Sequence, residues 1–288
     1  MKFLVLGASG MAGHLIAVFL HERGHQVLAA SRSEISIGVP WVPFDATGKA
    51  GQCGELIADG DIDIIVNCVG VLNQSAEERK AEAAYLNAYF PHWLADMTKN
   101  RHTRIIHLST DCVFSGQRGH YKETDVRDGT TFYDRSKALG ELNDAKNLTF
   151  RNSIVGPDRN PAGIGLFNWF MRQTNAVKGY TASLWNGVTT LHLAKAIERA
   201  AVIGLSGLYQ LVPPEAISKH DLLVLFSDIF TGGRLAVHRT EGIVTDKTLV
   251  CTRGDFPFEV PNYDTMLAEM HGFIVAHRHL YPQYRMDE

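Results

Sequence analysis

The chain has 288 residues, of which 45% are hydrophobic and 20% charged, and a formal net charge of −3 at pH 7. This length is enough to bury a large core, in one large domain or in two lobes. The small net charge argues against nucleic acid or an anionic membrane as the main partner, and no apolar run approaches the roughly 20 residues of a membrane-spanning helix.

The first half of the chain alternates between strand-like and helical periodicity. Short apolar runs predict six strands, at 2–6, 25–30, 41–46, 62–70, 104–110 and 148–156. The first run is too short for a secretory signal. Apolar residues at helical spacing predict helices at 11–22, 54–59, 81–99 and 133–147. This alternation indicates right-handed βαβ crossovers, and the predicted fold class is therefore α/β with a doubly wound parallel sheet.

The pattern loosens after about Gly156. A Gly- and Pro-rich stretch leads into an aromatic segment at 165–171, and residues 191–202 and 207–212 predict one more helix and one late strand. The rest mixes short helices and strands. The expected division into a main domain and a smaller C-terminal lobe is 1–156 with 188–212 for the former, and 157–187 with 213–288 for the latter.

Cysteine and histidine usage bears on compartment and metal binding. The four cysteines form no C-x-x-C pair, and the 13 histidines show no H-E-x-x-H spacing. Reduced, mostly structural thiols are typical of a cytoplasmic protein. We therefore predict cytoplasmic localisation and no metal site.

A glycine triplet occupies the first predicted turn. The stretch GASGMAG places Gly7, Gly10 and Gly13 directly after a strand and at the start of a helix. A sharp turn, close approach of the backbone to a pyrophosphate, and tight helix–strand packing each require a position without a side chain. The helix N-terminus adds free N–H groups for phosphates. The pattern predicts a Rossmann-type dinucleotide site that also includes Ser9 and Met11, with a plain tight turn as the alternative.

The end of the second strand bears on the choice of dinucleotide. An acidic residue there would bond the adenosine ribose of NAD, whereas this chain has Ser31 and Arg32. A guanidinium suits a phosphate group, which favours NADP(H). NAD(H) stays open if Arg32 points to solvent. Asp45 after the third strand is a candidate for the adenine amino group or for a turn, and Ala46 lies beside it.

Small residues follow the fourth strand, at the edge where a parallel sheet opens onto its crevice. Cys68, Val69 and Gly70 are cofactor candidates for this reason, and Val71 is a candidate on the substrate side. Asn87 in the next helix is a poor helix former. It is expected to bond a backbone group or water near the site, or to make a simple buried polar contact.

The fifth strand ends in Ser109, Thr110 and Asp111, and Tyr133 and Lys137 follow on one face of the next helix. Each part alone has an ordinary explanation, a turn for the first and a solvated surface for the second. A strand-end hydroxyl followed by Y-x-x-x-K is more specific. A cationic lysine about 4–6 Å away would lower the tyrosine pKa and make the phenol a better acid–base group near neutral pH.

Four motifs in order, GASGMAG, LSTDCVFSG, GHYKETD and YDRSKALGE, resemble those of the extended short-chain dehydrogenase/reductases. Within that family they are similar to the dTDP-4-dehydrorhamnose reductase group of sugar-nucleotide reductases. The likeness covers residues 1–156 and is looser at RNSIVGP and at 185–197. The stretch SIVG stands in place of the usual Trp–Val–Tyr, and LWNGVTT in place of an Asp-Gln-x-Gly-x-Pro-Thr-like stretch. Both departures fall on substrate-facing elements and bear on the identity of the sugar and nucleotide.

The resemblance implies NAD(P)H-dependent reduction of the 4-keto group of a nucleotide-activated 6-deoxy sugar, for cell-surface polysaccharide precursor synthesis. It implies that Tyr133 donates the proton, that Lys137 tunes it and holds the nicotinamide ribose, and that Thr110 helps polarise the carbonyl. Ser109 is expected on the cofactor side and Asp111 on the substrate side.

The C-terminal lobe is expected to supply the pocket for a nucleoside-diphosphate sugar. Its aromatic residues offer surface for a base or sugar, and Asn168 and Trp185 are the candidate contacts. A homodimer stays open. Two other functions stay open as well: a cofactor-binding regulatory subunit of another enzyme, which would not need Tyr133, and an epimerase or dehydratase. A dehydratase typically needs an Asp–Glu pair beside Thr110, where this chain has Asp111–Cys112.

Overall fold

The computed structural model describes residues 1–48, 54, 56–57, 61–284 and 286. Its strands are β1 Lys2–Leu6, β2 Gln26–Ser31, β3 Trp41–Pro43, β4 Ile64–Asn67, β5 Arg104–Leu108, β6 Leu148–Arg151, β7 Ile154–Val155, β8 Val177–Tyr180, β9 Ser183–Trp185, β10 Val188–Thr189, β11 Gly207–Gln210, β12 Ile217–Ser218, β13 Val237–Thr240 and β14 Thr245–Asp246. Its α-helices are α1 Met11–Glu22, α2 Asn73–Glu78, α3 Lys80–Ala83, α4 Phe90–Thr98, α5 Phe132–Leu139, α6 Leu166–Met171, α7 Thr190–Ile203, α8 Lys219–Thr231 and α9 Tyr263–Ala276.

Seven strands form the central sheet, in the order β11–β6–β5–β4–β1–β2–β3, and every neighbouring pair is parallel. The strand order reverses between β1 and β4, which opens a crevice at the carboxyl ends of these strands. The predicted doubly wound parallel sheet is confirmed. The late strand β11 joins this sheet beside β6.

The core lies on both faces of the sheet. Along β1, Phe3 and Val5 pack into the cluster that includes residues of α1 and α7. Leu4 and Leu6 point the other way, into the cluster that contains Phe90 and other residues of α4. A strand that is apolar at every position is expected when helices cover both faces, and β1 has this pattern.

Several predicted boundaries differ from the structure. The helix predicted at 81–99 is interrupted by a π-helical turn, Ala84–Tyr89. The helix predicted at 133–147 ends at Leu139 with Gly140 as its C-cap. A Cβ at Gly140 would lie 1.8 Å from the backbone oxygen of Asn87, so this position has room only for glycine. The helix predicted at 54–59 falls mostly outside the described residues. The third strand ends at Pro43, which has no N–H for a ladder.

The C-terminal part of the chain adds short strands and helices to the central sheet. It contains two small sheets, β12–β9–β14 and β13–β8, which pack against α8. The last described segment returns to the first helix, where Tyr281 meets His14. No described helix combines the length and apolar character needed to cross a bilayer.

Candidate active site

The glycine loop has the geometry that a dinucleotide site needs. Gly7 has a φ angle of +77°, a backbone conformation that residues with a side chain rarely adopt. A Cβ at Gly13 would lie 2.3 Å from the Gly7 oxygen, so that position is closed by the fold itself. At Gly10 the nearest protein atom is 3.4 Å from an ideal Cβ. The fold therefore has room at Gly10, and the missing side chain leaves space for a ligand at the start of α1.

His14 supports this loop from behind and was not predicted as a site residue. Its Nδ1 lies 2.9 Å from the Gly10 oxygen and its Nε2 lies 2.8 Å from the Tyr281 hydroxyl. Burial lowers the pKa of His14 to about 4, so the ring is neutral at pH 7. The sequence gives little indication of this role of His14, because its partner Tyr281 is 267 residues away.

A cavity of about 240 Å³ lies at the carboxyl ends of β1, β2 and β4. Most of the residues that were predicted to bind a cofactor line it: Gly7, Ser9, Gly10, Arg32, Asp45, Ala46, Cys68, Val69 and Gly70. Val71, expected on the substrate side, lines the same cavity. Five residues predicted on the cofactor side do not line it: Met11, Gly13, Ser109, Tyr133 and Lys137. Phe44, Thr47, Arg79, Glu82 and Leu86 line it without having been predicted.

The two arginines of this cavity come from different elements. Arg32 follows β2, and Arg79 stands in the break between α2 and α3, where it pairs with Glu82 at 2.7 Å. Asp45 accepts hydrogen bonds from the Thr47 backbone and hydroxyl at 2.9 and 2.7 Å. These bonds lower the pKa of Asp45, and Arg32 lowers it further. Asp45 therefore makes the turn that the sequence left open, and a guanidinium stands close to it.

Thr110, Asp111 and Tyr133 meet at the carboxyl end of β5. Thr110 caps a short 3₁₀ turn, Asp111–Val113, by accepting from the Cys112 N–H at 3.1 Å, and it donates to Asp111 at 3.0 Å. Tyr133, which is 8% exposed, lies close enough to Thr110 and Asp111 for both to act on its pKa. The capping box of α5 fixes the phenol here, since Thr131 and Asp134 exchange hydrogen bonds at the start of the helix.

Lys137 is buried one helical turn after Tyr133, but its ammonium is bonded elsewhere. Nζ donates to the Leu108 oxygen at 2.6 Å and lies 3.4 Å from His107 Nε2. Burial lowers the pKa of Lys137 to about 8, with Glu141 and Cys68 opposing the shift. The lysine is thus fixed by strand β5 and faces the same end of the sheet as Thr110.

The expected lowering of the Tyr133 pKa is not found, and this corrects the sequence prediction. Burial raises the pKa of Tyr133 and the Cys112 thiol adds to the effect, while the hydrogen bond with Thr110 opposes it. The Lys137 ammonium donates its hydrogen bond to the Leu108 carbonyl and not to the phenol of Tyr133. Tyr133 therefore carries its proton at neutral pH.

Asn87 explains why a poor helix former stands in the long helical segment. In the π-helical turn its side chain accepts from the Val71 N–H at 2.8 Å and donates to the Val71 oxygen at 2.9 Å. It also donates to Ser136 in α5 at 3.1 Å. The predicted bond to a backbone group is confirmed. Asn87 joins the end of β4 to the helix that carries Tyr133, and π-helical turns are frequent at functional sites.

Ser109, expected as a cofactor contact, belongs to a buried polar network. Its hydroxyl donates to Glu141 at 2.7 Å. Glu141 also accepts two hydrogen bonds from Arg151, at 2.8 and 2.7 Å, and one from Arg127 at 2.9 Å. The hydroxyl therefore helps to hold the carboxyl end of β5 in place, and we do not retain it as a cofactor contact.

The two substrate contacts predicted in the C-terminal lobe are both buried. Asn168 has no exposed surface, donates to the Gly163 oxygen at 2.7 Å and accepts from Tyr284 at 2.9 Å. Trp185 is 4% exposed and packs on Tyr263. Each supports neighbouring protein segments, so we no longer propose either as a direct substrate contact.

A second cavity, of about 370 Å³, lies in the C-terminal lobe. Its lining is mostly apolar and includes Leu166, Trp169 and Tyr180, and two lysines, Lys178 and Lys219, reach it. Trp169 comes from the aromatic segment in which the sequence predicted a platform for a base or sugar. Tyr180, outside that segment, contributes a second aromatic surface to the cavity.

The cysteines and the potential metal ligands form no second site among the described residues. Cys68, Cys112 and Cys251 are free cysteines, and Cys53 lies outside the described residues. Within the described ranges no three His, Cys, Asp or Glu side chains cluster in a way that could hold a metal ion.

Residues 1–155 match the family described as the RmlD substrate binding domain. The chain belongs to this family. A dTDP-4-dehydrorhamnose reductase from Burkholderia thailandensis is 34% identical over 161 residues, which cover 54% of this chain and 50% of that protein. The probable low-salt glycan biosynthesis reductase Agl14 of Haloferax volcanii is 33% identical over 144 residues, 49% of this chain and 48% of that protein. The chain thus spans about half the length of the curated relatives it matches.

A solved structure of an RmlD-type protein has the same fold. The dTDP-4-dehydrorhamnose reductase of Bacillus anthracis, in complex with NADP, superposes with a TM-score of 0.78 over 95% of this chain and 99% of that chain, at 17% identity. The resemblance to dTDP-4-dehydrorhamnose reductases inferred from the motifs is confirmed. The family match ends at Val155, so it includes Thr110, Tyr133 and Lys137 but not the cavity of the C-terminal lobe.

Proposed function

We propose that this protein is an NADPH-dependent reductase that acts on the 4-keto group of a nucleoside-diphosphate 6-deoxy sugar. One observation carries the proposal: Thr110, Tyr133 and Lys137 are all buried, and Thr110 is close enough to Tyr133 to act on its pKa. A binding module has no use for a buried proton donor at this place. The names of the relatives, two of them reductases of sugar compounds, support the same chemistry.

The residues of the first cavity fit a dinucleotide. The open space at Gly10 suits a pyrophosphate against the start of α1. Arg32 and Asp45 line the same cavity, where they would meet the 2′-phosphate and the adenine amino group. When bound, the reduced nicotinamide supplies the hydride. Lys137 would hold the nicotinamide ribose, since its ammonium already reaches the carboxyl end of β5.

Tyr133 would supply the proton to the carbonyl oxygen. Its raised pKa keeps the phenol protonated at neutral pH, and an oxygen that has received hydride at its carbon is a stronger base than phenolate. The Thr110 hydroxyl orients the phenol and is itself fixed by Asp111 and the Cys112 N–H. The proton moves from the Tyr133 oxygen to the former keto oxygen, and the product is an alcohol.

A dehydratase is disfavoured by the neighbour of Asp111. Water elimination needs an acid and a base beside Thr110, and Cys112 stands at the second position. Burial, together with the Asp111 carboxylate, raises the pKa of the Cys112 thiol to about 12. A neutral thiol cannot remove a proton from the sugar at neutral pH, so the reductase remains the better assignment.

The decisive assay follows NADPH absorbance with a panel of 4-keto-6-deoxy sugar nucleotides that carry dTDP, UDP, GDP or CDP. Turnover of at least one member supports the reductase. If NADPH binds but no member is turned over, the cofactor-binding regulatory subunit becomes the better assignment. Sedimentation of the same sample would test whether the chain forms a homodimer.

Cofactor preference is expected to depend on Arg32. The guanidinium can pair with the 2′-phosphate of NADPH, and no carboxylate occupies its place at the end of β2. Arg32→Ala should narrow the difference between NADPH and NADH binding by about 1.5–3 kcal/mol, the contribution of a hydrogen bond to a charged group. Dissociation constants for both cofactors measure it. A wild-type preference for NADH would refute the assignment.

The glycine loop can be tested with two valine substitutions. Gly10→Val places a branched side chain where the protein has room but a pyrophosphate should lie, so dinucleotide affinity should fall by about tenfold or more while the fold is retained. Gly13→Val is the contrasting variant, because its Cβ would meet backbone at 2.3 Å and should lower the melting temperature. Normal NADPH titration of folded Gly10→Val would exclude the loop from the site.

Cofactor affinity is expected to depend on pH through Lys137. Because the Lys137 pKa is lowered to about 8, its ammonium is lost as pH rises through this value, and NADPH affinity should fall by about tenfold between neutral and alkaline pH. Stability responds in the opposite sense. The unfolded chain binds the additional proton between pH 8 and the unfolded pKa of about 10.4, so this group increases the unfolding free energy as pH rises through that window.

Fluorescence titrations of NADPH between about pH 6.5 and 9.5 would measure the effect of Lys137 on affinity. In Lys137→Met the affinity should be low at every pH, because no ammonium is present to lose. An equally steep pH dependence in wild type and in Lys137→Met would assign the titration to another group.

A further inference from the structure

Lys219 stands between the catalytic loop and the cavity of the C-terminal lobe. It is the first residue of α8, and Ser218 before it caps the helix by accepting from the Asp221 N–H at 3.0 Å. Antiparallel pairing of β12 with β9 places Ile217 opposite Trp185. The Lys219 Nζ consequently lies 5.0 Å from the centre of the Trp185 ring, and the side chain lines the cavity.

The Lys219 ammonium has no hydrogen-bond acceptor of its own within the described part of the chain. The residue as a whole is half-buried, but its charged end is enclosed by protein. Burial lowers the pKa of Lys219 to about 8, and the nearby Asp111 carboxylate and Cys112 thiol oppose the shift. The Trp185 ring and the nearby Asp111 carboxylate only partly offset the cost of enclosing a cation that forms no hydrogen bond among the described residues. Its retention at the wall of a cavity points to an anionic ligand.

The cavity beside Lys219 selects among anions. Its walls are mainly apolar, with Leu166, Trp169, Tyr180 and Leu223 contributing surface and Lys178 the second positive charge. Apolar walls contribute nothing to the binding of an inorganic anion, whereas they can pack against a planar ring. Its volume of about 370 Å³ falls in the range of small-molecule sites. A ligand with a flat ring at one end and two phosphates at the other matches both features.

We propose that Lys219 is the residue that binds the diphosphate of the substrate, at the junction between this cavity and the catalytic loop. The inference rests on the proposed function and deepens it. Trp185 holds the Lys219 side chain by a cation–π contact, which gives this buried tryptophan a supporting role. Because Asp111 adjoins Thr110 in the chain, a diphosphate on Lys219 would lie near the proton donor and leave the sugar between them.

The test compares Lys219→Met with Lys219→Arg, and uses Lys195→Met as control because Lys195 pairs with Glu269 in α9 and does not line the cavity. The probes are dTDP and UDP, with thymidine and uridine as uncharged counterparts, titrated by calorimetry into the full chain with saturating NADP⁺. Lys219→Met should weaken binding of the better diphosphate by about tenfold to hundredfold. Nucleoside binding should be unchanged, and Lys219→Arg should remain close to wild type.

With a substrate in hand, Lys219→Met should raise KM much more than it lowers kcat. Diphosphate binding that is equal in wild type and in Lys219→Met overturns the proposal, as does an equal loss of diphosphate and nucleoside binding, which would indicate a structural role. If Lys219→Met does not fold, Lys219→Gln replaces it in the same titrations. Absence of reductase turnover together with Lys219-dependent diphosphate binding refutes the proposed reaction and leaves the site standing.

Discussion

Replacing Tyr133 with Phe is expected to lower turnover of the 4-keto sugar nucleotide by about 10² to 10⁴, the usual contribution of a positioned acid or base. The substitution removes one oxygen and leaves the ring to pack in the cluster that contains Val71 and Leu86. Because Lys137 is held by Leu108 and not by the phenol, NADPH affinity should change little. Steady-state rates and NADPH titrations on the same preparations would measure both.

Lys137→Met provides the matched comparison for Tyr133→Phe. It should reduce NADPH affinity, and turnover with it, since the lysine is expected to hold the nicotinamide ribose. A regulatory subunit predicts no turnover in wild type, with binding retained in Tyr133→Phe. Full activity of Tyr133→Phe would overturn the mechanism and return Tyr133 to a packing role.

Local sequence patterns predicted the part of the fold that depends on neighbours in the chain. The run at Lys2–Leu6 is apolar at four successive positions after Lys2 and forms a strand buried on both faces. The glycine triplet predicted both the turn at Gly7 and the start of α1. Most residues proposed for the cofactor line one cavity, because the carboxyl ends of parallel strands meet at one edge of the sheet.

What the sequence could not predict depends on contacts between distant segments. Nothing near Lys137 indicates that the Leu108 carbonyl would take its ammonium, and this contact removes the expected effect on the Tyr133 pKa. Asn168 looked available for a substrate until Tyr284 and the Gly163 carbonyl were found to use its amide. Arg79 carries no local motif, and it lines the cavity beside the glycine loop from the position directly after the end of α2.

The sequence also could not predict the buried network next to residues 109–113. In this network Arg151 and Glu141 form an ion pair, and both side chains are 1% exposed. Burial alone would raise the pKa of Glu141, but the bonds from Arg151, Ser109 and Arg127 outweigh it and hold that pKa below its usual value. The pair joins β6 to the segment after α5. Through the Ser109 hydroxyl it also fixes the residue before Thr110.

Arg151→Met is expected to lower the free energy of unfolding by about 3–5 kcal/mol, because it leaves the Glu141 carboxylate buried with only Ser109 and the partly exposed Arg127. Chemical denaturation at pH 7 would measure the loss. The double variant Glu141→Leu with Arg151→Leu should lose less than the sum of the single changes, since no buried charge is left unpaired. Turnover of folded Arg151→Met should fall as well, because Thr110 follows Ser109. A loss below about 1 kcal/mol, typical of exposed ion pairs, would show that the network does not support the loop.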